Sequence, residues 1–270
     1  MAPLWGPVTS TIDWCESNYM LSDFIAEPAN TISNLSFVFL GILGFAHEQR
    51  ENTRAGYQTM YATVAAIGIG SMLFHGTLTV WGQQLDELPM VWHLLISSYI
   101  LGRDAMENCK NGKLFLSVGL CLYGIIFSVC HLILKTTTAF QVHFGLLLSG
   151  LLVGVYNKFR HVQLNRESKR LIYLFLGSGI LGFIFWLIDY HYCELMQNFL
   201  FGFNPQGHSL WHLFMSYSAY CSVVMLKILD NSVQSNSSIF IKYTMGIPFA
   251  CRIQSVSQRK QDLESLKPLF

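Results

Sequence analysis

Between Arg54 and Asp86 the chain carries no Asp, Glu, Lys or Arg, and the same holds between Glu194 and Lys227. Each gap exceeds the roughly 20 residues that a helix needs to cross hydrocarbon, so both are read as membrane segments joined to uncharged loops. Other apolar runs read the same way give seven spans, near 29–46, 57–77, 87–102, 114–134, 138–157, 171–190 and 208–228. The predicted fold is an all-α membrane protein of seven transmembrane helices. Only 12% of the 270 residues are charged, about half the share of a soluble domain, and seven helices leave no room for a separate one. The expected organisation is a tail over 1–28, a seven-helix domain over 29–229, and a polar, irregular and mobile tail over 230–270.

Lys and Arg set the expected orientation, because translocated loops are poor in them. Sixteen of the seventeen fall after the first, third and fifth spans or from the end of the seventh (Lys227) onward, Lys135 being the exception. The N-terminus is therefore expected to be luminal or extracellular and the C-terminus cytosolic. Met1–Phe24 has neither a positively charged start nor an uninterrupted apolar core, so the first span is expected to act as its own insertion signal. Cations and anions nearly balance and form no recurring basic stripe, which argues against a nucleic-acid partner.

Several polar residues interrupt these apolar helices. The second span ends with Ser71 and His75 at i and i+4, the third opens with Asp86-Glu87, and the seventh opens with His208 and His212, again at i and i+4. All fall at one membrane depth on the luminal side, and ionisable residues so placed tend to be functional. Singly each has a plain alternative: a packed histidine, a serine bonded to its own helix, a solvated acidic boundary. The remaining histidines, His47, His93, His131, His143, His161 and His191, are read as packed or hydrogen-bonded. Three neutral imidazoles suit Zn²⁺, and three protein ligands leave a fourth position open, the catalytic pattern. Ser209 stands where a metalloprotease helix would carry its Glu base, which makes Asp86 the best-placed proton acceptor.

The N-terminal tail holds Asp13-Trp14-Cys15-Glu16-Ser-Asn18, followed by Glu27 at the mouth of the first span. Such oxygen donors, with the Trp14 carbonyl, suit Ca²⁺, although the spacing is no EF-hand and a solvated acidic tail would look the same. Cys15 and Cys193 both fall on the luminal side, where an oxidising compartment permits a bridge. The other five cysteines read as apolar or reduced residues.

These motifs together resemble the alkaline ceramidases, a family of seven-span hydrolases in the superfamily that includes the adiponectin and progestin receptors. The residues that carry the resemblance are Ser-Thr-Ile-Asp-Trp-Cys-Glu-Ser-Asn-Tyr (10–19), Ala-Glu (26–27), Asn-Thr-Ile-Ser-Asn-Leu (30–35), Gly-Ser-Met-Leu-Phe-His (70–75), Gln-Gln-Leu-Asp-Glu-Leu-Pro (83–89) and His-Ser-Leu-Trp-His (208–212). The resemblance implies His75, His208 and His212 as zinc ligands and Ser71 and Asp86 as catalytic partners. It implies Asp13, Trp14, Glu16, Asn18 and Glu27 as a calcium site, and a luminal disulfide between Cys15 and Cys193. It further implies hydrolysis of the ceramide amide to a sphingoid base and a fatty acid, in endoplasmic reticulum or Golgi membranes. The chain departs from the family at Pro28, where an aromatic residue is usual, in a shorter loop over 194–207, and in its tail.

The expected chemistry is metal-assisted amide hydrolysis, with Asp86 moving the proton and Ser71 stabilising the oxyanion. A two-chain lipid should enter sideways from the bilayer into an apolar pocket. The rival reading is a seven-helix receptor with a structural zinc, which would need the histidines but not Asp86 and Ser71. A transporter would place its polar residues near the midplane rather than at one edge.

Overall fold

The computed structural model describes residues 3–162, 164–199, 204–233 and 239–252. Among them, helix α1 (Pro28–Ser33) runs into α2 (Leu35–Arg50) through Asn34, itself in the right-handed helical region (φ −69°, ψ −14°). There follow α3 (Ala55–Thr77), α4 (Val80–Gly102), α5 (Gly112–Leu134), α6 (Thr137–Phe159), α7 (Arg166–Phe199) and α8 (Gly207–Val233). Strands β1 (Ile239–Thr244) and β2 (Ile247–Arg252) close the described chain as an antiparallel pair.

Among the described residues, five rods are long and apolar enough to cross a membrane: Pro28–Arg50, Gly112–Leu134, Thr137–Phe159, Arg166–Leu195 and Gly207–Asp230. The protein is thus a multi-pass, helical membrane protein. Helices α3 and α4 have the same 23-residue length, enough at 1.5 Å per residue to span about 35 Å. They are less apolar because they turn their polar side chains, among them Ser71, His75, Gln83, Gln84, Glu87 and His93, into the bundle, where all are buried.

The turn between them is short. Leu78 ends α3 in the left-handed region (φ 49°) with its N–H on the Phe74 carbonyl, and the Thr79 hydroxyl caps α4 by accepting from Gly82 N (3.1 Å). With that cap the helix begins at Val80, not at the expected 87. Asp86 and Glu87 therefore lie inside its second turn rather than at its mouth.

The largest apolar cluster gathers Tyr57, Met60 and Tyr61 of α3 with Tyr220, Val224 and Leu229 of α8. At that same end, Lys227 Nζ donates to both Glu48 oxygens (2.9 and 3.0 Å), and Asp230 receives Arg54 (3.3 Å), Arg103 and Tyr57. These pairs tie α2, α3 and α4 to α8.

The hairpin corrects the expectation of an irregular, mobile tail over 230–270. Helix α8 continues to Val233, and residues 239–252 are ordered; 253–270 lie outside the described residues. Ile239, Ile241 and Tyr243 alternate inwards, and Met245-Gly246, both at positive φ (50° and 83°), make the two-residue turn that suits strand twist. The hairpin docks through Tyr217 Oη on the Gly246 carbonyl (2.7 Å), Lys227 Nζ on the Ala250 carbonyl (2.9 Å), and the Arg170 guanidinium over the Tyr243 ring (4.2 Å).

Candidate metal and catalytic centre

The last turn of α3 and the first turns of α8 meet at one end of the bundle. There the ligand atoms of His75, His208 and His212 lie within 4.8 Å of one another, with all three side chains buried. His75 is fixed by the tail: the carbonyls that α3 leaves unpaired at its end accept from Ala26 N and Glu27 N (3.0 Å each). That pairing sets the buried Glu27 against the imidazole, and His75 Nδ1 donates to Glu27 Oε2 (2.5 Å). The lone pair is left on Nε2, which is buried without a partner. On His212, Nδ1 meets the Ser33 hydroxyl (2.8 Å), which itself donates to the Asn30 carbonyl (2.9 Å). The serine proton is thus committed, Nδ1 is the donor, and again Nε2 carries the lone pair. The His208 ring lies flat on Trp14 (3.5 Å between centroids, 17°), and its Nδ1 has no partner.

Buried polar groups without partners are costly. His75 Nε2 and His208 Nδ1 have no partner, and His212 Nε2 meets only the Asn34 amide (3.4 Å); three imidazoles converging in this way are what a divalent, nitrogen-preferring ion fits. Glu27 and Ser33 take the outer-shell place that orients metal-binding histidines.

Asp86 faces this group from α4. It lies within electrostatic reach of His75 and beside Ser71, whose buried hydroxyl makes no hydrogen bond of good geometry. The approach depends on Gly70: a Cβ there would stand 2.0 Å from the Leu85 carbonyl oxygen of α4. Only a residue without a side chain lets the two backbones pass so close. The expected grouping of Ser71, His75, Asp86, His208 and His212 is present.

The second expected group is looser. Asp13 receives the Asn18 amide (3.1 Å), while Glu16 accepts from Ala29 N and Asn30 N (2.8 Å each) at the start of α1, where a carboxylate is favoured by the helix end. Burial pushes both carboxyls up from their ordinary values, and the charge of Glu27 adds to the rise in each. Asn18 Oδ1 and Glu27 Oε1 are buried and unpartnered. Clustered anions with spare oxygens fit a hard cation. The carboxylates nevertheless do not converge as tightly as the imidazoles.

Cys15 and Cys193 form a disulfide (Cα–Cα 5.5 Å), which fastens the tail to the C-terminal part of α7. Asp189 was not singled out from sequence, although an Asp near the end of an apolar span was its signal. Its carboxylate accepts from Cys15 N (3.0 Å) and His208 N (3.1 Å), so one buried side chain positions both the tail and a ligand-bearing turn. Glu87 is likewise occupied: it accepts from His131 (2.5 Å) and Gln83 (2.9 Å), a buried network beside Asp86.

From this centre a cavity of about 500 Å³ runs between α4, α6, α7 and α8, from Trp14, Asp86 and His208 to Val155, Met225 and Leu226. Helix α6 packs on α4 and α7 on α8, while the α6 and α7 walls scarcely touch each other.

A family model described as Ceramidase matches residues 6–250. The chain is 34% identical to an alkaline ceramidase of Arabidopsis thaliana over 247 residues, covering 92% of this chain and 94% of the relative. It is 31% identical to alkaline ceramidase 3 of Mus musculus, covering 90% and 92% respectively. It is also similar to alkaline ceramidase 1 of Homo sapiens, at 25% identity over 92% of this chain and 96% of the relative.

Proposed function

Because the chain belongs to the ceramidase family, we propose that it hydrolyses ceramide at the His75, His208 and His212 centre, releasing a sphingoid base and a fatty acid. The observation that carries this reading is the meeting of three imidazoles, Asp86 and Ser71 at one end of an apolar cavity. A receptor has no use for the last two.

His75, His208 and His212 would hold Zn²⁺, which when bound would supply the Lewis acidity that acidifies water and polarises the amide carbonyl. Asp86 takes the proton of the attacking water and returns it to the leaving amine. Ser71 has a hydroxyl hydrogen to donate to the developing oxyanion. Glu27 holds His75 in the tautomer that presents Nε2, and Asp189 holds the first turn of α8 in place. The cavity takes an aliphatic chain and keeps bulk water away, which strengthens each of these interactions. Asp13, the Trp14 carbonyl, Glu16, Asn18 and Glu27 would hold Ca²⁺, which when bound would order the tail and so act on rate through positioning.

In this reading all seven rods, α3 and α4 included, cross the membrane. The N-terminal tail and the disulfide are then luminal and α8 ends in the cytosol, in endoplasmic reticulum or Golgi membranes. The cation count supports that orientation. The weak contact between α6 and α7 supports entry of the lipid from the bilayer.

The test is ceramide turnover by purified protein with zinc content measured in parallel. Asp86→Asn is expected to lose about 10²–10⁴ in kcat, the range of a general base, while keeping its metal. His212→Ala is expected to lose both. Turnover that survives His212→Ala would sink the proposal.

A further inference from the structure

At the far end of α2, His47 and Glu51 stand at i and i+4 on one helical face, and Cys251 reaches them from β2. The ligand atoms of the three lie within 4.8 Å of one another, and each side chain is partly buried. This cluster is separate from the histidine centre: His47 is roughly 20 Å along the helix from Asn34, which touches His212.

We propose that His47, Glu51 and Cys251 form a second metal site, taking Zn²⁺ or an ion of the same ligand preference, that staples the β-hairpin to α2. Three observations carry it. The first is the donor set of imidazole nitrogen, thiolate sulfur and carboxylate oxygen, which suits zinc and is wrong for calcium or magnesium, both of which prefer oxygen alone. The second is the state of the imidazole. His47 Nε2 faces the Ala250 carbonyl (3.2 Å), which can only accept, so the ring donates there and its lone pair sits on Nδ1. A ligating histidine is oriented in this way, by its other nitrogen on a backbone carbonyl, and here Phe249 also packs edge-on against the ring (5.0 Å). The third is the anchoring around it. The same Ala250 carbonyl accepts from Lys227 Nζ (2.9 Å), which is bonded to the buried Glu48, so the strand that carries Cys251 is held on the helix that carries His47 and Glu51.

Burial pushes the Cys251 thiol up, and the adjacent Glu51 pushes it further. A divalent charge between them removes that repulsion. Binding releases the thiol proton to solvent and leaves a metal–thiolate bond.

The test uses full-length protein loaded with Zn²⁺, freed of loose metal, and examined by zinc analysis and X-ray absorption. The wild type is expected to show a zinc–sulfur shell at about 2.3 Å, and Cys251→Ser to lack it. The histidine centre contains no sulfur, so the shell reports on this cluster whatever the state of the other. Zinc content is expected to fall by one equivalent per chain in Cys251→Ser and in His47→Ala, with ceramide turnover retained. A wild-type spectrum with only nitrogen and oxygen neighbours overturns the proposal, and so does a sulfur shell that survives Cys251→Ser. Should Cys251→Ser fail to accumulate, the wild-type spectrum and the zinc content of His47→Ala still decide the matter.

Discussion

Glu27 is asked to do two things at once. One carboxylate oxygen accepts from His75 Nδ1, and the other is buried, unpartnered and close to Asp13 and Glu16. Loss of its charge should therefore be felt at both proposed metal centres, whereas loss of Asp13 should be felt at one. Glu27→Gln keeps an acceptor for the imidazole but not the charge. It is expected to weaken zinc binding by about 10–100-fold, the usual effect of removing an outer-shell partner, and to blunt any calcium response. Asp13→Ala is expected to remove the calcium response and leave zinc affinity unchanged. Competition against a graded set of chelators, with and without Ca²⁺, separates the two variants. The three converging histidines were legible as a candidate centre because a histidine in hydrocarbon is expensive and so stands out. The supporting residues were not. Ser33, Asn34 and Asp189 touch the site through contacts 19 to 179 residues apart in the chain, and no local pattern encodes such distances.

Among elements, the pairing of α3 with α4 matters most, because it alone sets Ser71 against Asp86. A Cβ on Gly70 would stand 2.0 Å from a backbone oxygen, which cannot rotate aside, whereas a Cβ on Gly76, two turns nearer the tail, meets nothing within 4 Å. Gly70→Ala is expected to part the helices, costing about 1–3 kcal/mol and most of the turnover; Gly76→Ala should change neither. Thermal melts and turnover on the two variants check this. The same pair shows where sequence reading fell short. Both ends of α3 and the C-terminal end of α4 were nearly right, but the start of α4 was placed at 87, seven residues late, because charge marks a membrane boundary only when the charge is solvated. Here Asp86 and Glu87 face inwards and belong to the helix. The hairpin was missed for a different reason. Ile-Phe-Ile-Lys-Tyr-Thr (239–244) alternates with strand periodicity, but averaging it with a Ser- and Gln-rich surround made the whole tail look irregular.

For the whole molecule the bundle has two unlike ends joined by one cavity. The upper end carries histidines, carboxylates and a disulfide; the lower end is clamped by Lys227 on Glu48 and by the cations on Asp230. Between them the cavity follows α8 from His208 to Leu226, about 27 Å of helix at 1.5 Å per residue. Its depth should therefore set how long an aliphatic chain can be held with its amide at the histidine centre. Gly145 of α6 lines this cavity, and a Cβ there meets nothing within 4 Å. Gly145 is exposed, so bulk added there meets open space at the cavity wall rather than packed core and is expected to obstruct the lipid without straining the fold. Gly145→Leu is expected to keep the melting temperature and the turnover of short-chain ceramides, and to lose turnover of long-chain ones, chiefly through KM. A panel graded by acyl length reads this directly. If all lengths slowed equally, the cavity would not be measuring the chain, and the lipid would have to lie along the outer surface of the bundle instead.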